Sequence, residues 1–332
     1  MHTGLQKRYQ SIWIFMNRER KNGKMIKTRS APARARLKLF KNKWQLYLLL
    51  IPALIYIGIF AYAPMYGIQI AFKNYRTDLG IWGSPWVGLD NFVRFVNYPD
   101  FWRMVRNTLW INLHNLSVFP CAVIFALLLN ELTSTAYKKT VQMITYLPHF
   151  FSTVVVCGLI ILFLDRSSGV VNRILELVGL ERVAFLSEPK LFSSIYVWSG
   201  VWTNLGWNSI MYIAALSNVS TELVEAARID GANRLHIIWY VNLPTILPTI
   251  VTMFILSCGS MMSLGFEKIY LLQNTLNFSA SNVISTYTYE IGLIGGQFSY
   301  SAAIGLFNNA VNLIMLIIVN TVSKKLSGTG IW

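Results

Sequence analysis

The side chains able to do covalent chemistry are sparse in this 332-residue sequence and form no familiar constellation. There is no GxxxxGK[ST] loop to cradle a phosphate, no HExxH pair and no GxSxG elbow, so nucleotide, peptide or ester hydrolysis finds no machinery here. The three cysteines, Cys121, Cys157 and Cys258, sit in apolar stretches without CxxC spacing. They read as small buried hydrophobes rather than as a zinc site or disulfide framework. No catalytic residue and no metal site is expected.

Two other groupings carry a different chemistry, that of docking and of polar recognition. Residues 220–244 read as a short helix, a glycine break and a second helix. Ser220 or Thr221 can cap the start, and Glu222 places favourable charge in the first turn. Glu225, Ala226 and Ala227 favour helix, and Gly231 is the natural stop. Leu235, Ile237, Ile238, Trp239 and Val241 then form an apolar surface that Pro244 is expected to end. A helix this short is marginal alone in water, so docking into a groove of another protein is the expected support.

The second grouping is a set of neutral polar and aromatic side chains inside apolar runs. Trp198, Trp202, Leu205, Ser209 and Tyr212 recur near one helical face, with Asn204 and Asn208 beside them. Ser257, Ser260 and Ser263 lie in a later run, and Asn308, Asn309 and Asn312 in the last. Aromatic faces with amides and hydroxyls suit a neutral polar ligand, whose recognition needs no fixed charge. Taken singly, each such residue has packing between helices as its default role. For an anionic substrate, Arg94, Arg103, Arg106 and Lys268 are the external cations able to attract it; otherwise they are solvated or paired with Asp90 and Asp100.

The elements that position these residues are membrane helices. The chain is 54% hydrophobic and 13% charged, half the usual ~25% charged share of soluble domains. The net charge of +15 is lopsided, because residues 1–43 hold 13 of the 29 Lys and Arg and one acid, Glu19. A nucleic-acid-binding fold would spread its cations over a folded surface, so no nucleic-acid partner is expected. Six intervals free of Asp, Glu, Lys and Arg are long enough to cross the bilayer: 44–72, 107–130, 140–164, 191–221, 235–266 and 291–323. A seventh, 269–289, is too polar for lipid and reads as a loop or re-entrant segment.

With the N-terminus in the cytoplasm, the inner segments hold 19 basic and five acidic residues against ten and nine outside. Both ends are therefore expected in the cytoplasm. The expected domains are a basic tail 1–43, a six-helix body 44–323 and a C-terminal tail 324–332. The first helix is expected to be retained rather than cleaved as a signal peptide. The tail reads as a disordered extension, with a lipid-binding arm anchored by Trp13, Ile14 and Phe15 as the other option. Met25 would serve as an alternative start. Inside the spans the ionisable residues are His114, with His149 and His236 at span edges. A proton- or sodium-coupled carrier would normally place carboxylates at mid-membrane, so energy is expected from a partner.

The 220–244 segment also resembles the EAA-x3-G-x9-I-x-LP signature of permease subunits of binding-protein-dependent ABC importers. It matches at Glu225, Ala226, Ala227, Gly231, Leu243 and Pro244, with Val241 where isoleucine is usual. WVGLDNF at 86–92, NTL at 107–109 and GVVN at 169–172 are similar to carbohydrate permeases; YAPMYGIQIAF at 62–72 and QMITYLPHFFS at 142–152 resemble the oligosaccharide and polysaccharide branch. The resemblance runs from about residue 40 to the C-terminus.

It implies an all-α polytopic protein of the bacterial cytoplasmic membrane, with the type I ABC importer permease fold and no enzymatic activity. The loop residues Glu225, Ala226, Ala227, Asp230, Gly231, Leu243 and Pro244 would couple it to ATPase subunits. Trp198, Trp202, Asn208, Tyr212, Ser257, Ser260, Asn308 and Asn312 are the candidates for the sugar pathway. The implied partners are a second, distinct permease, two ATP-binding-cassette subunits, an extracytoplasmic sugar-binding protein and the lipid bilayer. ATP and magnesium would be held by the ATPase subunits, with no cofactor on this chain. An ABC permease for amino acids, peptides or ions, and an ion-coupled carrier, stay open as alternatives, as does a membrane scaffold.

Overall fold

The computed structural model describes residues 44–328, 330 and 331. The basic tail 1–43, with Met25, lies outside the described residues. Helices of α, 3-10 and π type make up the fold; among the described residues there is no strand, only an isolated bridge between Lys73 and Trp86. The chain divides into two compact units, Met1–Met65 and Tyr66–Trp332. In the first, the helix Trp44–Ile57 runs into the π turn Gly58–Tyr62, and no residue of that turn is buried. A helix apolar all round has to be covered by lipid or by protein.

Among the described residues, four helices are long and apolar enough to cross a membrane: Tyr47–Phe72, Phe101–Asn130, Arg234–Cys258 and Phe298–Lys325. The expected third span, 140–164, is not one rod. It is the pair Thr135–Phe150 and Thr153–Leu164, bent by 101°. Phe151 is extended, and Ser152 caps the second helix by accepting from the Val155 N–H at 3.3 Å. The expected fourth span folds as Pro189–Leu216, whose 28 residues are long enough. Its Ser, Thr, Asn and Gly residues keep its composition below that of the four apolar helices. Several ends also shift: the second span starts at Phe101 rather than 107, the fifth stops at Cys258 rather than 266, and the last helix starts at Phe298 rather than 291 and reaches Ser327, where Gly328 terminates it at φ 67°.

Proline explains two local distortions. A proline cannot donate to the carbonyl four residues back, and its ring collides with it. Pro64 follows the π turn Gly58–Tyr62, where the Ala63 N–H reaches Gly58 O. Pro244 follows the π turn Ile238–Asn242, where the Leu243 N–H reaches Ile238 O. Widening the preceding turn moves the offending carbonyl aside. Pro244 therefore does not end the second helix of the 220–244 hairpin. That helix continues without interruption into Leu243–Cys258.

The interval 269–289, expected as a loop or re-entrant segment, folds as three short helices, Phe266–Leu272, Phe278–Ser281 and Ile284–Tyr289, packed into the core. Its polar residues satisfy one another and the neighbouring backbone. Asn277 donates to Leu186 O at 2.9 Å and Leu272 O at 3.0 Å, and accepts from Ser281 Oγ at 2.8 Å. Asn107 donates to Ser279 O and Asn282 O, while the Thr108 hydroxyl accepts from the Ile284 N–H at 3.2 Å. Buried polar groups persist only when paired in this way. Ile111, Val156, Phe192, Ile269 and Val283 form the apolar cluster beneath. The Asn172 amide likewise ties Asp165 O to Val183, and a Cβ at Gly169 would strike the carbonyls of Asp165 and Phe163.

Candidate functional site

The hairpin at 220–244 is built by local rules. Thr221–Ile229 is helical, and none of its residues is buried. Ser220 occupies the N-cap position, but its hydroxyl makes no capping bond. The far end is closed by two bonds, Ala232 N–H to Ala227 O at 2.9 Å and Gly231 N–H to Arg228 O at 3.0 Å. This is the Schellman pattern, and it needs a left-handed residue at Gly231, whose φ is 80°. Asn233 then caps the next helix by accepting from the His236 N–H at 2.9 Å. The hairpin thus presents Leu223, Ile229 and Leu235, 49%, 87% and 66% exposed, beside the exposed Glu225, Ala226 and Asp230. Its second helix is tied to the rest of the protein where Asn242 donates to Glu131 Oε1 at 3.4 Å.

A cavity of about 640 Å³ opens among the helices Phe101–Ser117, Pro189–Leu216 and Leu243–Cys258. Its size is typical of a ligand pocket. Asn112, Asn115, Asn204, Asn208, Ser257, Ser260 and Ser263 supply amides and hydroxyls; Phe119, Tyr196, Trp207 and Tyr212 supply aromatic faces. Several of these are held in place. Asn204 Oδ1 lies 3.0 Å from His149 Nδ1, and the His149 ring stacks on Trp207 at 4.3 Å and 9°. Asn115 and Asn208 are exposed and make no side-chain hydrogen bond among the described residues. Their amides are free to meet a ligand.

Among the described residues, one cation lines this otherwise neutral wall. Lys268, between the fifth and sixth expected spans, donates from Nζ to Tyr196 O at 2.8 Å and lies 4.7 Å from the centre of the Tyr196 ring. Burial pushes its ammonium down from the usual 10.5 to about 8, partly offset by the neighbouring Cys157. No ion pair among the described residues involves it. The other candidate cations are elsewhere: Arg103 pairs with Asp100 at 2.7 Å, Arg94 stacks over Tyr300, and Arg106 is exposed.

The cavity therefore gathers Asn208, Tyr212, Ser257 and Ser260 from the expected pathway, and leaves out the other four. Trp198 lines a separate apolar groove with Ile160, Phe163 and Leu191, and Trp202 is outside both. Asn308 donates to Met262 O at 2.8 Å; Asn312 accepts from the Met262 N–H and donates to Ser263 Oγ, each at 2.8 Å. These two pin the turn after Cys258. His114 is a packing residue, its Nδ1 2.9 Å from Ser193 Oγ. Sequence reasoning passed over Asn112, Asn115 and Trp207. The first two stand one helical turn apart, a polar spacing that the same helical-face test would have found.

The geometry has the following relatives. Residues 118–328 match the family described as binding-protein-dependent transport system inner membrane component. Protein LplB of Bacillus subtilis (strain 168) is 42% identical over 295 residues, covering 89% of this chain and 92% of that protein. The polygalacturonan/rhamnogalacturonan transport system permease protein YteP of the same organism is 42% identical over 297 residues, with the same shares. A chain in the crystal structure of a bacterial alginate ABC transporter, in complex with alginate pentasaccharide-bound periplasmic protein, superposes with a TM-score of 0.79 at 40% identity. That match covers 89% of this chain and 99% of the other.

Proposed function

We propose that this chain, which belongs to the family of binding-protein-dependent transport system inner membrane components, is the permease subunit of an ATP-driven importer of oligo- or polysaccharides. Membership makes it a multi-pass membrane transport subunit rather than an enzyme. The observation that carries the finer reading is the hairpin at 220–244: an exposed helix, stopped by a left-handed glycine, offering Leu223 and Ile229 to a partner. Substrates named for the relatives, polygalacturonan, rhamnogalacturonan and alginate, support a complex carbohydrate.

In this reading the body 44–323 spans the cytoplasmic membrane of a bacterium six times. The tails 1–43 and 324–332 and the hairpin face the cytoplasm. A second, distinct permease completes the pathway, two ATP-binding-cassette subunits hold ATP and magnesium, and an extracytoplasmic binding protein delivers the sugar. Glu225, Ala226, Ala227, Asp230, Gly231, Leu243 and Pro244 form the coupling element. ATP binding draws the ATPase pair together, the hairpins follow, and the cavity opens outward; hydrolysis returns it inward. The permease binds and releases sugar through Asn208, Tyr212, Ser257 and Ser260, joined by Asn112, Asn115 and Trp207.

The docking surface can be tested by affinity purification of the chain co-expressed with its second permease and ATPase. The ATPase should co-purify with the wild-type chain and be lost from a Leu223→Glu, Ile229→Glu double variant. Retention by the double variant would count against the hairpin as the coupling element.

A further inference from the structure

Of the polar groups that line the cavity, Lys268 alone among the described residues carries a fixed charge. A cation placed in a protein wall normally finds a carboxylate, because an unpaired buried charge is costly. Here no carboxylate within pairing distance takes that place; the nearest acid in sequence, Glu267, is exposed. The side chain is nevertheless held: Nζ donates to Tyr196 O, and the Tyr196 ring flanks it at 4.7 Å. An ammonium has three donors, and this anchor uses one. The remaining N–H groups are available to the cavity, where Gly200 faces Nζ and no side chain there covers it.

We propose that Lys268 is the specificity-determining counter-charge of the pathway, and that the sugar it admits is anionic, carrying ring carboxylates of the uronic-acid type. This inference rests on the sugar-importer reading above. The neutral amides of Asn112, Asn115 and Asn208 serve the hydroxyls common to all sugars, while Lys268 supplies the one contact that a neutral sugar cannot repay. An ammonium–carboxylate hydrogen bond is stronger than a neutral one, so its loss is felt selectively by the acidic substrate.

The test uses the complete transporter in proteoliposomes with its binding protein and ATP. Uptake of an oligogalacturonate is compared with uptake of its carboxyl-reduced, neutral counterpart. Each rate is expressed relative to wild type for the same sugar, so preferences of the binding protein cancel. K268Q should lower acidic uptake at least about tenfold while changing neutral uptake little, and K268R should keep the wild-type ratio of the two sugars. Equal losses on both sugars, no loss on the acidic one, or a K268R ratio like that of K268Q would overturn the assignment. Wild-type uptake of the neutral sugar alone would overturn it while leaving the importer reading intact. Uptake of neither sugar would overturn both.

Discussion

The amide of Ala232 donates to the carbonyl of Ala227 at 2.9 Å, across a residue, Gly231, held at φ 80°. That bond ends the exposed helix and turns the chain back into the helix Arg234–Cys258. A non-glycine residue in the left-handed region costs about 1–2 kcal/mol, and a β-branched one more. Gly231→Val should therefore unravel the end of the helix and cut binding-protein-stimulated ATP hydrolysis by roughly 5–30-fold, the range that such an energy spans. Gly231→Asn, which tolerates this backbone, should retain most of it. Stimulated hydrolysis measured on the purified complex checks both; wild-type stimulation in the valine variant would contradict the role given to the hairpin.

Asn107 holds the helix Phe101–Ser117 to the short-helix segment through Ser279 O at 2.8 Å and Asn282 O at 3.0 Å. Replacing it with alanine strands two carbonyls, and each unsatisfied group costs about 1–3 kcal/mol. Asn107→Ala should lower the thermal midpoint in detergent. An unchanged midpoint would mean that the segment is held by other contacts.

These two cases mark how far the sequence could be read. The Gly231 hairpin was legible because its determinants are local, helix formers and a glycine stop within a few residues, although the cap expected at Ser220 does not form and Asn233 caps the following helix instead. The apolar helices were legible from length and charge. The bend at Phe151 was not, since hydropathy over 140–164 is blind to an extended residue between two helices. Pro244 was misjudged because a π turn can absorb a proline. The polar interval 269–289 read as too polar for lipid, and its packing was not legible because its partners, Leu186 and Asn107, lie far away in sequence. Trp198 and Trp202 share a helix with Asn208, but helical spacing cannot say which neighbours cover each face.

Asn208 and Asn312 separate pathway from scaffold. Asn208 is exposed to the cavity without a bonded amide, so Asn208→Ala should lower sugar uptake without moving the thermal midpoint. Asn312 bonds Met262 and Ser263, so Asn312→Ala should lower the midpoint, by about 1–3 kcal/mol of stability. Its uptake per folded transporter should stay close to wild type. Unfolding curves and uptake rates on the same preparations decide the matter, and interchanged effects would refute the assignment.

The titration of Lys268 gives acidic-sugar uptake a pH signature. Its ammonium loses the proton as pH rises through about 8, well below the usual 10.5, while uronic carboxylates stay ionised. The titratable groups around it are the Cys157 thiol, the Tyr196 phenol and the adjacent Glu267 carboxylate. Uptake should therefore decline above about pH 8, and K268R, whose guanidinium stays charged, should remove the decline. Between about 8 and 10.5 the unfolded chain binds more protons than the folded one at this site, so this residue's contribution to stability rises with pH. A decline caused by Lys268 titration thus runs opposite to that contribution. An identical alkaline profile for K268R would exclude Lys268 as its source.

The most direct test of the account is uptake of a labelled oligosaccharide into proteoliposomes, with the binding protein outside and ATP supplied to the ATPase side. Vesicles with and without the ATPase subunits are compared. Accumulation is expected only when both ATP and the ATPase subunits are present. Accumulation that persisted without the ATPase, driven by an ion gradient alone, would contradict it.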